Sequence, residues 1–285
     1  MKTAPLAPAM LLALLLTPPA LAAGGAGGGD STLPASRLEL AMTIYAAGIT
    51  LGHMDMDASI RGADYHAVSH MQTSGVINAF WQSQIQATAS GKLGASGFRP
   101  ELYDSFDTGH SGRKQEVSLS YAGEAPPRLY ADPAYSTTGY EVKSDDTRST
   151  LDPLSALLFI ASGTGTENGN PCALTAPVFD GRRRYDIEMT RVRDIDIKMD
   201  NGFYAGKGVQ CDIRYRQVAG YRPRVLKNNE SFPVIHAWIA RFPSAVTGRD
   251  YTIPVRVWAE TRYGVMAVLV DSLKVDGQAP KDVKR

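Results

Sequence analysis

Apolar and polar positions alternate along most of the chain. Leu38, Leu40, Met42 and Ile44 point one way while Arg37, Glu39 and Thr43 point the other, the two-residue period of a half-buried strand. Val117, Leu119 and Tyr121 alternate with Glu116, Ser118 and Ser120, and Tyr185, Ile187 and Met189 with Asp186, Glu188 and Thr190. The clearest predicted hairpin runs from Ile195, Ile197 and Met199 through Asp200-Asn201-Gly202 to Val209, Cys211, Ile213 and Tyr215. Asn-Gly supplies the positive φ values that tight hairpin turns require, and the alternation puts Cys211 on the inward face. Ile253 to Glu260 and Val265 to Leu273 form a second hairpin about Arg262-Tyr263-Gly264.

Two segments break the strand period. Asp152 is a good N-cap, Pro153 suits the first helical position, and Leu154 to Ala161 runs to Ser162-Gly163 as a stop. This helix is apolar on nearly every side, so it is expected to be buried against the sheet or to plug a barrel opening. Gly75 to Trp81 is a shorter helical candidate. The expected fold is mainly β: a single curled antiparallel sheet, as a barrel, half-barrel or β-spiral, with one or two short buried helices.

The N-terminus changes the context. Lys2, the apolar run Met10 to Leu16, two prolines and Ala20-Leu21-Ala22 have the order of a cleavable secretory signal peptide over residues 1–22. The apolar run is too short to span a bilayer. Residues 23–36 read as a flexible glycine-rich leader, leaving residues 37–285 as one β-rich domain. Loss of Lys2 with the signal balances 29 basic against 29 acidic side chains. A neutral surface argues against nucleic acid as a partner. In an oxidising compartment Cys172 and Cys211 read first as a disulfide, which would stabilise the fold by roughly 4 kcal/mol in the chain-entropy model.

Candidate chemistry is sparse. His53, Asp55 and Asp57 would share one strand face and are weak metal-ligand candidates, since residues in line do not by themselves surround an ion. His110-Ser111 lies between glycines, faintly like a hydrolase nucleophile turn, but lacks the G-x-S-x-G pattern. Gly163 to Gly169 has no following lysine and is no phosphate loop. Asp180-Gly181 opens into Arg182, Arg183 and Arg184, where guanidinium forks at Arg182 and Arg184 could meet a phosphate, carboxylate or glycan. Trp81 and Trp238 could line an apolar pocket, although aromatic residues are more often core. No cofactor motif is present.

The blocks Tyr45-Ala-Ala-Gly48-Ile49-Thr-Leu51-Gly52, Phe98-Arg99-Pro100, Asp152-Pro153-Leu154-Ser155-Ala156-Leu157-Leu158 and Val178-Phe179-Asp180-Gly181-Arg182-Arg183-Arg184-Tyr185-Asp186, taken in order, resemble the exported domain-of-unknown-function family 3108 of Gram-negative bacteria. The resemblance runs from about Arg37 to Leu273. It implies a periplasmic or envelope-associated protein with a curled antiparallel sheet, and it carries no catalytic residues over. The expected role is a non-enzymatic binding or scaffold protein for a lipid-like or cell-wall-derived ligand, without a membrane span. An envelope hydrolase using Ser111 and His110, and a structural module for an outer-membrane partner, are the alternatives.

Overall fold

A computed structural model of the chain describes residues 33–75, 82–94, 97–109, 112–164, 169–224 and 232–280. The signal segment, most of the leader and the helical candidate beyond Gly75 lie outside these residues. Seven strands come first: β1 (Ser36–Ala46), β2 (Ile49–Arg61), β3 (Asp64–Thr73), β4 (Gln84–Gly94), β5 (Gly97–Thr108), β6 (Lys114–Ser120) and β7 (Arg128–Asp132). A helix, α1 (Pro153–Ala161), follows. Six more strands complete the fold: β8 (Leu174–Phe179), β9 (Arg184–Lys198), β10 (Ala205–Ala219), β11 (Ile235–Pro243), β12 (Asp250–Thr261) and β13 (Gly264–Val275).

All thirteen form one sheet in the order β7-β6-β5-β4-β3-β2-β1-β13-β12-β11-β10-β9-β8. Every ladder is antiparallel; consecutive strands are neighbours in space except β7 and β8, and β13 pairs with β1 to join the two halves. β7 and β8 are left as the two edges. An even number of antiparallel steps separates them, so they run parallel and cannot be joined by a hairpin. Parallel strands need a long crossover, usually with a helix, and residues 133–173 supply it. Bulges in the β1–β2, β1–β13, β4–β5, β9–β10 and β11–β12 ladders bend the strands and allow the sheet to curl.

The helix sits inside that curl. It packs against β8 and β12 from one half of the sheet and β3, β4 and β5 from the other. Leu154, Ala156, Leu158 and Ala161 join the main core with Leu38, Tyr65, Phe98 and Val255. Ile160 joins a second cluster around Cys172, Cys211, Met189 and Ile239. Leu157 is the exposed apolar residue of the helix, so its all-round hydrophobicity reflects burial on nearly every side. Cys172 and Cys211 are joined as a disulfide with Cα atoms 5.7 Å apart, tying the start of β8 to the middle of β10.

Asp152 caps α1 as the sequence pattern requires: its Oδ1 accepts from the N–H groups of Leu154 at 3.0 Å and Ser155 at 2.8 Å. The residue is fully buried. Burial pushes its carboxyl up from the ordinary 3.8 to about 6, against the opposing hydrogen bonds from Ser155 and the helix N–H groups. The Tyr65 hydroxyl lies 2.7 Å from Ser155 Oγ, and desolvation keeps the phenols of Tyr65, Tyr103 and Tyr121 protonated.

The free edge of β8 is covered by a backbone bridge from the crossover, and the turn after it packs on β6 and β7. Leu151 N–H donates to Pro177 O at 2.8 Å and Leu151 O accepts from Phe179 N–H at 2.9 Å, extending β8 by a parallel bridge. Gly181, in the β8–β9 turn with φ +90°, faces β6 and β7 so closely that a Cβ there would lie 2.7 Å from Val117 Cγ1 and 3.1 Å from Leu129 Cδ1.

The β9–β10 connection departs from the expected tight turn. Gly202 has a positive φ, but Asn201 is not among the positive-φ residues. The loop widens so that Met199 N–H meets Tyr204 O at 3.0 Å. Asn201 is used differently: its Nδ2 donates to Val270 O at 2.9 Å and its Oδ1 accepts from Phe203 N–H at 3.1 Å. The hairpin tip is thereby tied to β13, a contact that outweighs the local turn preference.

Two substitutions test this description. Gly181→Ala combines an unfavourable positive φ with a clash and should cost about 2 kcal/mol, roughly 4–8 °C in Tm. Gly123→Ala has a positive φ but open space around it and should cost about half as much; equal losses would mean that the sheet edges do not meet at Gly181. Asp152→Asn keeps the capping acceptor and removes the titration. Because the fold disfavours ionised Asp152, wild-type stability relative to this variant should fall by about 2 kcal/mol as pH rises from about 4 to about 7. Urea midpoints at both pH values measure it, and parallel profiles for the two proteins would contradict it.

Candidate functional site

The meander places the β2–β3, β4–β5 and β11–β12 turns at one end of the curled sheet, together with the C-terminal end of α1. An open cleft of about 570 Å³ lies among them. Ile60, Ala63, Leu93, Val246 and Tyr251 form its apolar walls, with Leu33 and Pro34 contributed by the chain just ahead of β1. Ser162, Thr164, Thr247, Arg249 and Asp250 are its polar positions. Ser162 Oγ donates to Phe159 O at 3.0 Å and lies 2.9 Å from Thr164 Oγ1, so these hydroxyls mostly satisfy the open end of the helix.

A buried polar network holds the cleft wall. Ser36 Oγ lies 2.9 Å from Ser244 Oγ and 2.8 Å from the Tyr251 hydroxyl, and it donates to Asp276 Oδ1 at 2.8 Å. Asp276 also accepts from Arg37 N–H, Ser244 Oγ and Val246 N–H. Burial alone would raise the Asp276 carboxyl, but these hydrogen bonds outweigh it and hold the group below the usual carboxylate range. The first strand, the β11–β12 turn and the end of β13 are thus locked together by charge-assisted bonds.

The concave face continues past the helix. Met42 is paired with Met54, Met54 with Met71, and Met71 with Ile85, giving one apolar row across four strands. All four are only half-buried. Methionine side chains adapt readily to irregular apolar partners, so this row can adjust to what packs on it.

The residues singled out by sequence are scattered. His53, Asp55 and Asp57 are exposed on the outer face of β2, with His53 Nδ1 3.0 Å from Thr43 Oγ1. Among the described residues no group of three or more His, Cys, Asp or Glu is arranged to hold a metal. Arg184 is a structural residue: it pairs with buried Asp186 at 2.6 Å and donates to Asp146 O, while Arg216 bonds the other oxygen of Asp186. Trp238 does not line this cleft. It sits edge-on to Trp258 at 5.4 Å, and the Arg256 guanidinium lies 4.9 Å and 5.1 Å from the two rings. Arg182 stands at the β7–β8 edge, 5.6 Å from the Tyr135 ring. Trp81, His110 and Ser111 lie outside the described residues.

The cleft itself had no local signature. Ser36 and Asp276 are 240 positions apart, and Val246 and Leu93 are ordinary apolar residues until the sheet curls. The one sequence signal in reach of it was the helix stop at Ser162-Gly163.

Among the described residues no helix is long and apolar enough to cross a membrane. No curated protein matches the chain. Among solved structures, a beta-barrel-like protein of domain of unknown function DUF1849 from Brucella abortus is similar over 85% of this chain and 98% of that one, at 10% identity and a TM-score of 0.49. The family model for proteins of unknown function DUF3108 matches residues 41–270, and the chain belongs to that family.

Proposed function

We propose that this is an exported, non-enzymatic binding protein of the cell envelope that holds the apolar part of a lipid-like ligand in the cleft at the end of α1. The observation that carries this reading is the cleft: about 570 Å³, apolar on most sides, with a few polar groups at its margin. Those are the size and lining of small-molecule sites. The wall is preorganised by the Ser36–Ser244–Tyr251–Asp276 network, so ligand entry does not have to order it. The disulfide and the segment resembling a signal peptide fit folding in an oxidising compartment.

The helix changes where such a ligand would lie. Leu119, Leu158 and Val255 are fully buried in the curl, so the space beside α1 is core. The ligand is therefore placed at the open end, where an acyl chain could run along Leu93 and Ile60.

Native mass spectrometry of protein purified from the periplasm should show a co-purifying lipid. Val246 is partly exposed on a turn, so Val246→Arg should leave Tm unchanged yet weaken binding of a fluorescent long-chain fatty acid about tenfold or more, by placing a charge against the apolar wall. A clean apo mass together with unchanged binding in Val246→Arg would overturn the proposal.

A further inference from the structure

The cleft at the end of α1 does not stop at its apolar walls. It adjoins a smaller polar recess of about 360 Å³, and Ser162, Thr164, Arg249 and Asp250 line both. The recess adds Gly163, Gly169, Arg241 and Thr252. Arg249 thus stands where the apolar space meets the polar one. The turn that carries it is fixed. Ser244 N–H donates to Arg249 O at 2.8 Å, Arg249 N–H to Thr247 Oγ1 at 3.3 Å, and Thr247 N–H to Ser244 Oγ at 3.1 Å. Ser244 Oγ in turn donates to Asp276 Oδ2 at 2.8 Å, so the network behind the apolar wall also sets the backbone from which Arg249 projects.

The charged side chains in the two linings are Arg241, Arg249 and Asp250, an excess of one positive charge among the described residues. Asp250 faces Arg241, whose Nη1 lies 3.9 Å from its Oδ2, and Arg241 Nη2 also donates to Gly169 O. The other carboxylates nearby are committed. Asp276 is held by its four donors, and Asp64, beside Ala63, pairs with Lys92. The carbonyls at the end of the helix are taken as well: Ile160 O accepts from Thr252 Oγ1 at 2.7 Å and from Gly163 N–H at 3.3 Å, and Phe159 O accepts from Ser162 Oγ. Among the described residues no ion pair or hydrogen bond engages the Arg249 guanidinium, and the residue is exposed. An anion at this junction would meet an unused fork of donors.

We infer that the ligand of this cleft is an anionic amphiphile, its carboxylate or phosphate headgroup resting on Arg249 where the cleft meets the recess and its chain running back along Val246 and Leu93. The inference rests on the reading of the cleft as a lipid site and adds the charge of the headgroup. A guanidinium meets the paired oxygens of either headgroup with two parallel hydrogen bonds. A headgroup at this open rim keeps its contact with water, so the chain can be buried without the cost of burying the charge.

The test uses the full chain and four probes: decanoate, decyl phosphate, uncharged decanol and inorganic phosphate. Titration calorimetry should show at least one amphiphilic anion binding about tenfold more tightly than decanol, by a margin that narrows as salt rises. Inorganic phosphate should bind more weakly than that anion. Arg249→Gln should remove most of the margin, and Arg249→Lys should keep part of it, since the ammonium retains the charge without the fork. Arg249 is exposed on a turn, so neither change should alter Tm. A preference for decyl phosphate assigns the headgroup as a phosphate ester, and a preference for decanoate assigns it as a carboxylate. Equal binding of the three ten-carbon probes, with decanol weakened in Val246→Arg, would overturn the inference and leave the lipid site standing. Failure of all three to bind would remove both. An anion preference untouched by Arg249→Gln, or inorganic phosphate bound as tightly as decyl phosphate, would also overturn it.

Discussion

An antiparallel ladder can continue all the way round a curled sheet only if the strands that meet run in opposite directions. Here β7 and β8, the strands left at the edges, run the same way. They cannot share a short turn, and the chain between them must travel back along the length of a strand. That return path carries α1, and the curled sheet wraps it. The buried helix, the parallel bridge at Leu151 and the side-chain contact at Gly181 all follow from this single mismatch of direction. The cleft opens where the helix ends.

Threading a helix through the interior brings its polar ends with it. Asp152 satisfies the first turn from a fully buried position, at the cost of a carboxyl driven upward by desolvation. At the other end Ser162 and Thr252 supply hydroxyls, the latter donating to Ile160 O at 2.7 Å. Both termini are thereby capped by side chains, as buried helix ends must be. Tyr65 bonds Ser155 from the sheet side, so the plug is positioned by a few directional bonds as well as by apolar packing.

The arginines divide by the same logic. Arg184 and Arg216 are held by Asp186 within the ladder and contribute to the sheet, while Arg256 is held by two tryptophans. Arg182, one turn from Arg184, has no carboxylate partner among the described residues because it stands where the sheet is interrupted. Position relative to the edge, not residue type, separates the two.

Much of the fold was legible in the sequence because its causes are local. Period-two alternation marks strands through the pleat, and Asp152-Pro153 marks a helix start through the N–H groups it satisfies. The cysteine pair announces a cross-link once export is read from the N-terminus. The Asn201-Gly202 turn was read less well, since a distant carbonyl on β13 claimed the asparagine. The clefts were not legible at all. Leu33, Leu93 and Val246 meet only because the sheet curls. The sequence by itself determined the strands, the helix and its cap, and the family, since these depend on neighbours along the chain. The tertiary structure decided which polar groups are shared and which stand free, because that depends on contacts between residues far apart in the chain.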